Sequence, residues 1–186
     1  SIWTEGCRDG DTAAVIRALS ASGVSVDDIW DLVNAPGQHP AAIPVLLDWL
    51  VNINDRVPVD SRRRVLEAIV RALTVRAARP VAAKPLIAVF RSLGDPSDWA
   101  VRWAVGNALA VVADDSNFDE VSELVQAREY GAARQMVVHG LSRSKDPRAV
   151  DLLVRLLADD DVVAHAAYAL GRRRAVRARE ALAGLL

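Results

Sequence analysis

Val105-Gly106-Asn107-Ala108-Leu109 and Ala166-Ala167-Tyr168-Ala169-Leu170 follow one pattern: two small residues, a variable one, a small one and a leucine. The pattern returns at Val137-Val138-His139-Gly140-Leu141 and, less cleanly, at Ile69-Val70-Arg71-Ala72-Leu73. Its closing leucines, Leu73, Leu109, Leu141 and Leu170, stand 36, 32 and 29 residues apart. Such spacing suits a stack of two-helix units, because one unit cannot bury its apolar face alone and repetition supplies the missing partner.

The period of the apolar residues is helical. From Val150 to Leu157 the positions Val150, Leu153, Val154 and Leu157 fall on one helix face, and no strict alternation of comparable length competes with it. Glycine and proline gather between the periodic segments. Pro85 and Pro147 stand near predicted helix starts, where a missing N–H is harmless, and Asp146 before Pro147 is a candidate cap. The reading is all-α, with helices near 11–20, 26–34, 40–53, 60–78, 82–93, 99–113, 118–128, 130–143, 147–158, 161–173 and 176–185. That makes five pairs and a trailing helix, which is an end cap or the first half of another repeat. Pro36 to Pro40 and Arg79-Pro80 read as turns between units rather than interdomain linkers. A single domain over 1–186 is expected, with an atypical helix pair in 1–39 and recognisable repeats from 40 onward.

Two units carry a fuller motif. Asp146-Pro147-Arg148-Ala149-Val150-Asp151-Leu152-Leu153-Val154-Arg155-Leu156-Leu157, then Asp159-Asp160-Asp161, then Ala166 to Gly171, resembles the HEAT-like repeat consensus. Leu93-Gly94-Asp95-Pro96 through Trp99-Ala100-Val101-Arg102 to Ala108-Leu109 resembles it too, and the irregular intervals depart from the stricter tetratricopeptide and ankyrin patterns. The resemblance covers roughly 40–186. It implies a right-handed α-solenoid of stacked antiparallel helix pairs, with the second helix of each pair lining the concave side.

Composition narrows the function classes. Hydrophobic residues make up 52% of the 186, enough for a continuous core, and 23 bases against 24 acids leave a net charge of −1. No general attraction to polyanions follows, so nucleic acid is a disfavoured partner. The one cysteine, Cys7, has no partner for an internal disulfide, and no apolar run is long enough for a membrane span. A cytoplasmic location and no membrane partner are the corresponding expectations. His139 and His165 lack companions at ligand spacing, and glycine-rich phosphate loops, paired-cysteine sites and nucleophile elbows are missing from the sequence. No metal, no cofactor and no catalytic residue are expected.

If the second helices line a concave side, the variable motif position becomes a row: Arg71, Asn107, His139, Tyr168. One turn earlier stand Glu67, Trp103, Gln135 and Ala164. On the helix from Trp99 to Ala113, Val101, Ala104, Val105, Ala108 and Val112 share an arc with Trp99 and Trp103 nearly opposite. Indoles directed away from the seam would anchor a partner, whereas Trp49 and Trp30 read as core and Trp3 as terminal packing or exposed. The candidate binding residues are therefore Trp99, Trp103, Asn107, Arg71, Glu67, Gln135, His139 and Tyr168, and the expected partner is another protein or peptide.

The resemblance leaves two other classes open. Some HEAT-like proteins are DNA glycosylases that use concave tryptophans with an acidic residue, and Asp98, Trp99, Arg102, Trp103 and His139 superficially supply such a set. Related short repeats also occur in phycobilisome lyases, though nothing here marks a bilin site. Charge is uneven as well: eight bases against two acids between Arg56 and Lys84, a second basic stretch at Arg172, Arg173, Arg174, Arg177 and Arg179, and acidic turns at 114–115, 119–120 and 159–161. Solvated surface and compensated helix ends are the plainest account of these runs.

Overall fold

The computed structural model describes residues 10–34, 39–173 and 183. The predictions for Trp3, Cys7, Pro36, Arg174, Arg177, Arg179 and, apart from residue 183, the helix 176–185 lie outside them. The helices are α1 (Ala13–Ala21), α2 (Ile29–Asn34), α3 (Ile43–Val51), α4 (Ile53–Arg56), α5 (Val59–Ala72), α6 (Ala83–Ser92), α7 (Trp99–Val112), α8 (Phe118–Gln126), α9 (Gln135–Gly140), α10 (Ala149–Leu156) and α11 (Val163–Arg172). No strand occurs among the described residues.

Local chemistry sets these elements. In α10, Ala149, Leu152, Leu153 and Leu156 recur at helical spacing and are all buried, while Asp146 accepts the backbone N–H of Arg148 and stops the preceding loop. The period matches the sequence reading but the phase is one step off, since Val150 and Val154 are only half-buried. Ahead of α8, Asp114 and Asn117 form a capping box, and Phe118, Val121, Leu124 and Val125 then turn inward.

The helices pack as successive pairs, α3 with α5, α6 with α7, α8 with α9 and α10 with α11, and α5, α7, α9 and α11 also touch one another in that order. Each second helix is thus flanked by its own first helix and by neighbouring second helices. One connected cluster of buried apolar side chains runs from Val15 to Leu170. Val101, Ala104, Val105, Ala108 and Val112 are buried, as the arc on this helix requires, and Trp49 is core. Trp30 is half-buried against that core rather than enclosed in it.

Three helix boundaries differ from the sequence reading. The segment 40–53 is a 3-10 turn at Pro40–Ala42 followed by α3 and the start of α4. The segment 60–78 stops at Ala72, and Arg76–Ala78 forms a separate 3-10 turn. The helix expected at 130–143 is reduced to six α-helical residues between 3-10 segments, Arg128–Arg134 and Leu141–Arg143. Gly131 explains the first break: its φ of 51° and ψ of −140° lie outside helical space and suit glycine.

Close approach of the second helices fixes the small motif positions. A Cβ on Gly106 would stand 2.9 Å from the carbonyl oxygen of Ala133, and one on Gly140 would stand 2.9 Å from the Cα of Ala110. Backbone atoms cannot swing aside. Gly106→Ala is expected to destabilise the fold, because overpacking costs about 1–3 kcal/mol against a helix-propensity gain of about 1 kcal/mol. Gly171→Ala, where nothing lies within 4 Å, should raise the melting temperature slightly; equal shifts for the two variants would refute this packing.

Candidate functional site

The residues expected to form a binding row stand on α5, α7, α9 and α11, the helices that contact one another in sequence. None is fully buried. Tyr168 is 49% and Trp99 55% exposed, while Arg71, Glu67, Trp103, Asn107, Gln135 and His139 are half-buried and Ala164 is exposed.

Neighbouring members of the row engage one another. Arg71 donates from Nε and Nη2 to Glu67 Oε1 at 3.0 and 2.7 Å, and its guanidinium lies 5.9 Å from the centroid of the Trp30 ring. This half-exposed pair is worth a fraction of a kcal/mol and mainly orders the two side chains. His139 stacks on Tyr168 with centroids 4.8 Å apart and planes inclined by 15°, which joins α9 to α11. Burial, and then the charges of Arg143 and Arg172, push the His139 imidazole below its ordinary pKa; burial and then His139 do the same to His165. Both shifts favour the neutral imidazole. Gln135 donates from Nε2 to the carbonyl of Asp161 at 2.9 Å, so its amide is tied to the turn before α11.

Beneath Gln135 lies a clamp that the sequence reading missed. Arg134 is fully buried and all five of its N–H groups have acceptors: Gly131 O and Val125 O at 2.9 Å, both carboxylate oxygens of Asp159 at 2.8 and 3.3 Å, and Asp161 at 3.4 Å. The end of α8, the start of α9 and the turn leading to α11 are joined through one guanidinium. The Asp159 carboxyl is held below its ordinary pKa by the Arg134 hydrogen bonds. A signal did exist in the sequence, since Arg102 and Arg134 each precede a motif leucine by seven residues. Arg102 repeats the gesture, donating to Phe90 O at 3.3 Å while its guanidinium lies 5.8 and 5.2 Å from the Phe90 and Tyr130 centroids.

Three of the residues that superficially supply a glycosylase-like set have other partners. Asp98 pairs with Arg63 at 3.0 Å, Arg102 turns to α6, and His139 is taken up by Tyr168. Among the described residues no group of three or more histidine, cysteine or acidic side chains is placed to hold a metal ion, and no helix is long and apolar enough to cross a membrane.

Paired helices stacked on a shared core, with the second helices in mutual contact, define an all-α solenoid. Residues 85–171, from within α6 to within α11, match the family model for HEAT repeats, so this part of the chain is built of HEAT-like repeats. No curated protein and no solved structure matches it significantly.

Proposed function

We propose that this chain is a protein-interaction module that holds its partner along the face built by α5, α7, α9 and α11. HEAT repeats commonly mediate protein interactions. The observation that carries the reading is the row itself: four touching helices each offer an accessible polar or aromatic side chain, Arg71, Asn107, His139 and Tyr168, at the equivalent motif position. Stacking turns equivalent positions into a stripe, and an extended stripe suits a segment of another protein. Tyr168 and Trp103 supply the large rigid contact area from which interface anchors are made, and the Arg71–Glu67 pair and the His139–Tyr168 stack pre-order their neighbours.

Affinity capture with the whole chain, against a lysate of the source organism, tests the face. Trp103→Ala with Tyr168→Ala is expected to weaken retention of a specific partner by roughly thirtyfold or more, since anchor aromatics are worth about 1–2 kcal/mol each. Arg91→Ala, on a first helix, should leave retention unchanged. Undiminished capture by the double variant would reject this surface.

A further inference from the structure

Arginines far apart in the sequence gather around Arg143. Of the eight bases between Arg56 and Lys84, five are held by carboxylates and Arg62 by backbone carbonyls, which leaves Arg76 and Arg79 without an acidic partner among the described residues. These two follow α5. Arg143 follows α9 and Arg172 closes α11, and neither forms an ion pair among the described residues. Arg76, Arg79 and Arg172 are each near enough to act on Arg143: after burial, the charges of Arg79, Arg76 and Arg172 push its guanidinium below its ordinary pKa.

Helix ends explain part of this gathering. Arg79 donates to Val111 O at 2.5 Å and Arg173 to Leu141 O at 3.4 Å, each reaching across to a neighbouring second helix near its C-terminal end. A helix C-terminus carries only about half a negative charge, so the ends of α5, α7, α9 and α11 together offset about two of the arginines. With Lys145 added, and with the carboxylates of Asp114 and Asp115 set against them, a positive excess of about one charge is left over.

That excess borders a cleft of about 410 Å³, with Arg79, Arg143 and Lys145 at its rim. Its floor is apolar, formed by Leu109, Val121, Val137 and Leu141 among others. Asp114 and Asp115 stand on its wall, engaged by Ser116 and by Ser144 and the Lys145 backbone. Those carboxylates disfavour a ligand with evenly dense phosphates. An apolar floor under a cationic rim fits a side chain of one kind beside a group of the other.

We propose that this cleft binds an acidic peptide segment of a partner protein, in which an apolar side chain enters the floor and a neighbouring aspartate or glutamate meets the arginines at the rim. The proposal rests on the reading of the chain as a protein-interaction module and extends its face to the C-terminal edge of the second helices. Charge complementarity selects the occupant, and the small volume restricts it to a few side chains.

Fluorescence anisotropy on the full chain tests it, with a fluorescein-labelled peptide of alternating glutamate and leucine, its glutamine counterpart, and a labelled single-stranded oligonucleotide. The acidic peptide should bind, the glutamine peptide should not, and Arg76→Glu with Arg143→Glu should weaken binding by roughly tenfold or more. All three arginines used are exposed, and the control Arg155→Glu should leave affinity unchanged. No binding of the acidic peptide, equal affinity in the double variant, equal binding of the glutamine peptide, or tighter binding of the oligonucleotide would each overturn the proposal. Capture that depends on Trp103 and Tyr168 while the peptide fails rejects the cleft alone; capture indifferent to those aromatics while the peptide behaves as expected rejects the face alone.

Discussion

Replacing Arg134 with alanine should lower the free energy of unfolding by about 3–5 kcal/mol, a large share of what a domain of this size has to lose. The guanidinium is fully enclosed and all five donors are used. Removing it leaves the Asp159 carboxylate nearly buried and short of its main partner, with the Val125 and Gly131 carbonyls also deprived. Asp159→Ala should cost a comparable amount, and the double variant less than the two losses added, because both remove the same contact. Urea titration followed by circular dichroism measures all three. Acid should act in the same direction as these substitutions. The folded-state pKa of Asp159 is depressed, so its contribution is complete above the ordinary carboxylate value of about 4 and is lost as pH falls through the lower folded value. Additive single losses, or a loss for Arg134→Ala below about 1 kcal/mol, would show that the clamp does not tie the repeats together.

Ala108→Asp should destabilise by on the order of 4 kcal/mol, through an ionisable group forced into a site with no partner for it. Ala108 is completely enclosed on α7, the helix that touches α5, α6 and α9 at once. The adjacent substitution Asn107→Asp introduces the same carboxylate about 100° further round the helix, at a half-buried position of the binding row, and should cost less than about 1 kcal/mol. Thermal melts of the pair report the register directly. Similar shifts for both would contradict it.

The repeat was legible because burial imposes it: Ala108, Ala166 and Ala169 are enclosed where helices approach closely, and a larger side chain there has no room. The row Arg71, Asn107, His139 and Tyr168 followed from register alone, and so did its placement on consecutive second helices. Helix ends were less legible. The break at Gly131 depends on one backbone conformation that a helical pattern of apolar residues does not announce. Contacts between repeats were hidden for a different reason: Arg134 and Asp159 are 25 residues apart, and Arg79, Arg143 and Arg172 lie on three separate units. Nothing in local periodicity joins them. The basic runs accordingly read as solvated surface, and local sequence gives no sign that Arg76, Arg79 and Arg172 stand around Arg143.

Site-specific photo-crosslinking tests the central claim most directly. A photoreactive phenylalanine analogue placed at Asn107, His139 or Tyr168 on the second helices is compared with one at Arg91, Asp151 or Arg155 on the first helices, in the presence of the captured partner. The account predicts crosslinks to one and the same protein from the second-helix positions and none from the first-helix positions. Crosslinks from the first helices alone, or from both sets equally, would contradict it.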